Sequence, residues 1–350
     1  MTEFVIVIPD LYLPPSSGEA AGSVHAASAL TGLERIARFG RRRALEADGG
    51  WRPWLARALG RNDLADVPPA VIVAARLARE VATEVPATVR QHTAPTAWFA
   101  TPLHLIAGLT SLHLDRRSLL RLSEAEAEAF AADFNQTFGD PDHAASLRLH
   151  PLHSGEFLLE APASFEATTT EPACALVAGL EASLPQGPRA TAFKRLGAEL
   201  EMWLHTHSLN EARRRRGELP VSTLWLWGGG PASTQLGENS AAPRPAVFGH
   251  DPYLTGLTSL SRATAPGQPD LLVTEAEVTS LLHANPQWTV LDAVADIDRR
   301  IIAPTLDALN DQRYQAVTLI ANNVEMRMNR SDRLKFWRPR RPGLSGLILR

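Results

Sequence analysis

His207, Asn210 and Arg213 recur at intervals of three within His205–Gly230, HTHSLNEARRRRGELPVSTLWLWGGG. On one helix that spacing sets an imidazole, an amide and a guanidinium on a single face. Together they could close on a phosphate or carboxylate, the guanidinium supplying a forked, charge-assisted contact. The plainer alternative is a capped helix end whose arginines at 213–216 are solvated. Gly217-Glu-Leu-Pro220 stops the helix, and Trp225 and Trp227 then share one face of a strand, the pattern of a core. Gly228, Gly229 and Gly230 follow. Bare of side chains, they could offer backbone N–H groups to a phosphate or form a flexible loop.

Other chemistry-bearing residues are scattered. Asp10 follows the apolar run Phe4–Pro9 and would leave the carboxyl end of a strand, where open α/β sheets bind ligands. His250-Asp251 follows a short apolar run and is a second candidate metal ligand pair. Asp142-His143 and His150/His153 fall in turn or hairpin sequence and read as surface residues. No Gly-x-Ser-x-Gly elbow, Walker loop, Gly-x-Gly-x-x-Gly fingerprint or His-Glu-x-x-His is present.

Composition narrows the classes. A chain of 350 residues can bury a large core, as one domain with an insertion or as two domains. Its net charge of -3 argues against a surface that coats nucleic acid or membrane. The basic residues are almost all arginine, Lys194 and Lys335 being the two lysines. From Met326 to Arg350 eight Lys/Arg stand against one acid, Asp332. Within that tail FWRPRRP could stack on bases or dock on an acidic partner. Cys174 is the sole cysteine, which excludes an internal disulfide and a cysteine-based zinc cluster and suits a reducing compartment. MTEFVIVIPD reads neither as a signal peptide nor as a span, so the expected location is cytoplasmic with no membrane contact.

The elements that must position these groups alternate between strand and helix. Phe4–Pro9 suits a strand buried on both faces. The arginines between Leu33, Ile36 and Phe39 suit a helix over Leu30–Leu45. Pro68–Glu84 is helical, and Ala97–Ile106 reads as an edge or bulged strand because of Pro102. Ser123 and Glu126 form a capping box for a helix to Phe138, stopped by Gly139. Leu147–Leu149 and Glu156–Glu160 pair as a hairpin, and a helix spans Phe193–Arg216. Ala246–Phe248, a helix near Leu254–Ser261, a helix over Thr274–His283, strand Trp288–Leu291, helix Asp298–Leu309 and strand Ala316–Ile320 complete the series. Such alternation predicts a doubly wound, mostly parallel α/β sheet. Residues 1–106 and 221–350 would form that core, and 107–220 an inserted α+β subdomain.

Three stretches resemble a known family. His207, Asn210, Arg213, Gly217, Pro220, Trp225, Trp227, Gly228 and Gly230 match a signature of the cofactor-independent phosphoglycerate mutases of the alkaline phosphatase superfamily. Ser208 stands where that signature has proline, and Ser222 where it has asparagine. TPLHLIAGLTSLHLDRRSLLRLSEAEAEAFAADFN resembles the family's inserted domain in the archaeal-type branch and in bacterial relatives described as regulatory or phosphoglycerate-mutase-like proteins. FGHDPYLTGLTSL with DIDRRIIAPTLDAL is a third, weaker likeness, so the resemblance runs from Ala97 to Leu309. It implies an alkaline-phosphatase-like core, a phosphorylated small-molecule ligand bound by His207, Asn210, Arg213 and Trp227–Gly230, and, in active members, two divalent metals with a serine or threonine nucleophile. Asp10 fits the first metal ligand. No Gly-Ser-like turn follows it (Ala58–Asp66 reads ALGRNDLAD), Asp292 and Asp296 have no histidine companion, and Asn322-Asn323 stands where an Asp-His pair belongs. The expectation is therefore a catalytically degenerate relative with a binding or regulatory role, no cofactor, and a possible protein partner. The alternatives are an active mutase or phosphatase using Mn or Zn, and an interaction module working through the basic tail.

Overall fold

The computed structural model describes residues 2–13, 30–46, 49–84, 96–107, 112–139, 146–232, 236, 246–260 and 271–334. In chain order the elements are β1 (Glu3–Ile8), α1 (Thr31–Phe39), β2 (Arg41–Ala44), α2 (Trp51–Ala58), α3 (Pro69–Glu84), β3 (Thr96–Leu103), β4 (Ile106–Ala107), β5 (Leu112–His113) and α4 (Glu124–Phe138). Then come β6 (Arg148–Pro151), β7 (Phe157–Ala161), α5 (Pro172–Ala178), α6 (Ala190–His205), α7 (Ser208–Arg215), β8 (Thr223–Pro231), β9 (Ala246–Phe248) and α8 (Pro252–Ser259). The chain ends its described part with β10 (Leu271–Glu275), α9 (Val278–Ala284), α10 (Val290–Ile297), a π turn (Asp298–Ile302), α11 (Ala303–Asn310), β11 (Ala316–Ala321) and β12 (Val324–Asn329).

These elements form two compact units. Met1–Asp66, Glu238–His250 and Ser261–Arg350 make the first; Val67–Gly237 and Asp251–Leu260 make the second. The first holds a six-stranded sheet in the order β2-β12-β11-β1-β10-β9. β1 pairs in parallel with β10 and β11, and β10 with β9, while β12 and β2 add antiparallel at one side. Val5–Ile8 and Ala316–Ala321 are buried on both faces, which is why these strands are unbroken apolar runs rather than alternating ones. Ile6, Ile8, Val317 and Leu319 pack with Leu33 and Ile36 of α1, Leu282 of α9, Val294 of α10 and Leu306 of α11. Each such side chain contributes about 1.5–3 kcal/mol of burial free energy.

The second unit is α+β. Its sheet is antiparallel in the order β6-β7-β3-β8. α4 and α6 cover it through Phe130, Phe134, Phe193 and Leu200, packed with Trp98, Phe157 and Leu224. The mostly parallel sheet accompanied by an α+β unit is as expected. β3 and β8 pair with each other and β3 with β7, and both belong with α3 to the second unit.

Several expected elements differ locally. The helix expected over Leu30–Leu45 ends at Phe39. Gly40 is extended (φ -67, ψ 154), its N–H caps Ile36 O, and Arg41–Ala44 pairs with β12. The single helix expected over Phe193–Arg216 is two, broken at Thr206 and His207. Thr274–His283 is the end of β10 followed by α9, since ladder pairing with β1 holds Leu271–Glu275 extended. Trp288–Leu291 is no strand: Thr289 and Asp292 form a capping box that opens α10. β3 is central rather than an edge, but it carries a bulge, the other possibility, where its register against β8 shifts between Ala97 and Phe99. Ser222 N–H bonds Leu103 O, which turns the nitrogen of Pro102 to the opposite side, where pairing with β7 has already ended at Ala100. Among the described residues, no helix is long and apolar enough to cross a membrane.

Candidate functional site

The segment from His207 to Gly230 lies within the second unit, and most of its polar groups meet protein partners. His207 is extended (φ -69, ψ 137) and caps α7, its Nδ1 accepting the Leu209 N–H at 3.2 Å. Accepting there fixes the tautomer, with the ring proton on Nε2, which lies 3.3 Å from Asp133 Oδ2. The ring packs against Trp203 and Phe130. Burial holds its pKa below the ordinary histidine value, opposed by the Asp133 charge and hydrogen bond.

Asn210 is 1% exposed. Its Nδ2 donates to Leu204 O and Val221 O, both at 2.8 Å, and its Oδ1 accepts the Val221 N–H at 2.7 Å. One amide thus ties the end of α6 to the chain entering β8. Arg213 donates from Nε to Leu219 O at 2.8 Å and from Nη1 to both oxygens of Glu126, each at 3.1 Å. Glu126 is also the capping-box residue of α4 and receives Arg216. Asn210 and Arg213 do share a helical face, as their spacing requires, while His207 stands just outside the helix.

The triple glycine belongs to β8 instead of a loop beyond it. A Cβ on Gly229 would lie 2.2 Å from Ala97 O and 2.4 Å from the Trp98 ring, at the bulge where the β3–β8 register shifts between Ala97 and Phe99. Gly228 has φ +62, and its N–H donates to Thr169 Oγ1 at 3.2 Å. A Cβ on Gly230 would meet Pro68 Cγ at 3.0 Å. Close backbone approach at Gly229 and a left-handed residue at Gly228 give these positions a packing reason for glycine. Trp227 donates from Nε1 to Thr101 Oγ1 at 2.9 Å, which in turn donates to Glu156 Oε1 at 2.6 Å.

The first unit presents a different group at the carboxyl ends of its strands. Asp10, 2% exposed, accepts the Val278 N–H on Oδ1 (2.8 Å) and the Thr279 N–H on Oδ2 (2.7 Å). Its carboxylate therefore caps α9, at the end of the helix that favours negative charge. Asn322 follows β11 with φ +56, a conformation asparagine tolerates better than most residues. Its N–H bonds Ile8 O and its Nδ2 donates to Leu11 O, holding the chain leaving β1. Thr279 Oγ1 and Asn322 Oδ1 are buried and have no hydrogen-bond partner among the described residues. The sequence marks Asn322 only as standing where the resembled family has an Asp-His pair, and it does not mark Thr279. Thr279 lies four residues beyond the end of β10, inside α9, and no sequence pattern marks an unpartnered amide oxygen.

The remaining metal candidates, His250 and Asp251, have partners within their own surroundings. His250 is exposed, and its backbone N–H donates to Glu275 Oε2 at 3.2 Å. Asp251 caps α8, its Oδ1 accepting the Leu254 N–H at 3.0 Å. Among the described residues, no three His, Cys, Asp or Glu side chains gather as a metal ion would need. The donor set at these positions, a helix-capping carboxylate beside a neutral amide, does not fit a pair of divalent cations, which prefer several charged oxygens. Asp142-His143 and residues 335–350, including FWRPRRP, lie outside the described residues.

A groove of about 830 Å³ in the first unit is lined by Trp288, Asp292, Asp296, Asp298, Arg299 and Asp307, among others. Its acids have structural partners. Asp292 closes the α10 capping box, Asp296 pairs with Arg299 and Arg300, and Asp307 with Arg35. Asp298 accepts the Gly32 and Leu33 N–H groups at the start of α1. Burial raises the Asp298 pKa above the ordinary carboxyl value, against those two amides.

No protein-family model matches this chain, and no curated protein does. Among solved structures it is similar to the cofactor-independent phosphoglycerate mutase from Thermoplasma acidophilum DSM 1728. That likeness has 16% identity, covers 94% of this chain and 90% of that one, and has a TM-score of 0.36. It is also similar to the PH0037 protein from Pyrococcus horikoshii, at 11% identity, covering 92% of this chain and 82% of the other with a TM-score of 0.42. Neither likeness assigns a role to a side chain here.

Proposed function

We propose that this chain is a phosphoglycerate-mutase-like protein that acts by binding, in a regulatory role, rather than by transferring a phosphoryl group. The observation that carries this reading is Asp10. The carboxylate best placed to be a first metal ligand instead accepts two backbone N–H groups and so anchors α9 beside β1. Asn322, at the end of the neighbouring strand, brings an amide and no charge. Such groups orient a polar small molecule by hydrogen bonding and are weak ligands for a divalent cation.

The binding surface on this reading is the carboxyl edge of β1, β10 and β11, where Thr279 Oγ1 and Asn322 Oδ1 are buried without a partner among the described residues. A phosphorylated hydroxy acid presents the hydroxyl donor that Asn322 Oδ1 lacks. His207, Asn210 and Arg213 serve on this account as a staple joining α6, α7, α4 and the entry to β8.

The test is an assay of the purified chain with 3-phosphoglycerate and manganese, together with calorimetric titration of 3-phosphoglycerate. No turnover is expected, with binding that Asn322→Ala weakens. Turnover abolished by Asp10→Asn would replace this reading with an active metal-dependent phosphoglycerate mutase or phosphatase. Absence of any binding would remove the ligand from it.

A further inference from the structure

We propose that the outer edge of β2 is a docking strand for an acidic, extended segment of a partner protein. Among the described residues, β2 is the last strand on its side of the six-stranded sheet, and Arg41, Arg43 and Ala44 are exposed. The Leu45 N–H donates to Asn323 O at 2.7 Å, which turns residue 45 toward β12. By the two-residue alternation of a strand, 43 and 41 also turn toward β12. The N–H and C=O groups of Arg42 and Ala44 then face outward, a half-ladder with no strand partner among the described residues.

The side chains give that edge a sign. In the β2–β12 register Arg43 is opposite Glu325 and Arg41 opposite Arg327, so the four share one face. Arg43 pairs with Glu325 at 2.9 Å and Arg327 with Glu3 at 2.9 Å. Arg41 and Arg42 have no acidic partner among the described residues. Arg41 sits directly across from another arginine, an arrangement that costs stability in a sheet unless an anion stands nearby.

A strand added outside β2 would set its alternate side chains beside Arg41 and Arg43. Acidic residues at every second position complement that face, while the intervening residues lie on the side of Arg42 and Ala44. A polynucleotide could meet the guanidinium groups but could not complete a backbone ladder, so the outward N–H and C=O groups favour a peptide.

The experiment uses the full chain and three fluorescein-labelled peptides, read by anisotropy at low and moderate salt. They are Glu-Val-Glu-Val-Glu, its lysine counterpart, and the acidic peptide N-methylated at alternate amides. The acidic peptide is expected to bind, the lysine peptide not to, and N-methylation to abolish binding. Arg41→Glu, at an exposed residue with no ion-pair partner among the described residues, should weaken the acidic peptide about tenfold. Equal binding of the N-methylated peptide, an unchanged affinity in Arg41→Glu, or no binding of the acidic peptide at millimolar concentration would each overturn the docking strand. A fluorescein-labelled oligothymidylate is titrated in parallel, and tighter binding of it that also loses affinity in Arg41→Glu would do the same, reassigning the edge to nucleic acid.

Discussion

Two side chains carry most of the argument, and each makes a measurable statement. Asp10 is buried with a charge whose partners include two amides of the first turn of α9. Replacing it with alanine leaves those N–H groups buried without an acceptor and should cost about 1–3 kcal/mol in urea unfolding. A change below about 0.5 kcal/mol would mean that the carboxylate does not anchor the helix. His207 makes a pH-dependent statement. Its Nδ1 must be unprotonated to accept the Leu209 N–H, and burial lowers its folded pKa beneath the unfolded value. The unfolded chain therefore binds the proton more readily, so stability from this group is complete above about pH 6.5. It is lost as pH falls through the folded pKa. The urea midpoint should drop between about pH 7.5 and pH 5, and His207→Asn, which can still cap but does not titrate, should remove that component. An equal slope in the variant would assign the titration elsewhere.

Among the elements, β8 shows what glycine does when a strand runs through it. Gly229 has Ala97 O and the Trp98 ring where a side chain would begin. Gly229→Ala should therefore destabilise the antiparallel unit by about 2–3 kcal/mol, seen as a lowered melting temperature with the fold retained. A neutral substitution would show that the bulge opens freely. The same strand marks where sequence reading succeeds and where it stops. The capping box at Ser123 and Glu126, the glycine stop at Gly139, and the apolar runs of β1 and β11 were legible because their causes are local. The end of α1 at Gly40 and the switch of Arg41–Ala44 into a strand were not. Arginines at three-residue spacing look helical, and only the distant partner β12 decides otherwise. The break at His207 was hidden for a related reason, because histidine is an unusual cap and the helical spacing continued across it. At Thr274 and Glu275 pairing with β1 overrode a pattern that suited a helix.

At the scale of the whole molecule, the chemistry-bearing residues are shared between two compact units. The signature from His207 to Gly230 and the strand-end aspartate Asp10 belong to different compact units. In each, polar side chains meet the protein's own backbone: Asn210 with Leu204 and Val221, Asp10 with Val278 and Thr279, Asn322 with Leu11. The residue types were visible in the sequence, but their partners were not, since a hydrogen bond between positions 10 and 278 has no local signature. The central claim is that Asp10 acts as a helix cap in a binding protein and not as a metal ligand in a phosphomutase. Its most direct test is calorimetric titration of manganese into the full chain, with and without 3-phosphoglycerate, beside Asp10→Asn. The account predicts no stoichiometric manganese binding that depends on Asp10. Two equivalents of manganese bound by the parent chain, lost in Asp10→Asn while that variant remains folded, would contradict it.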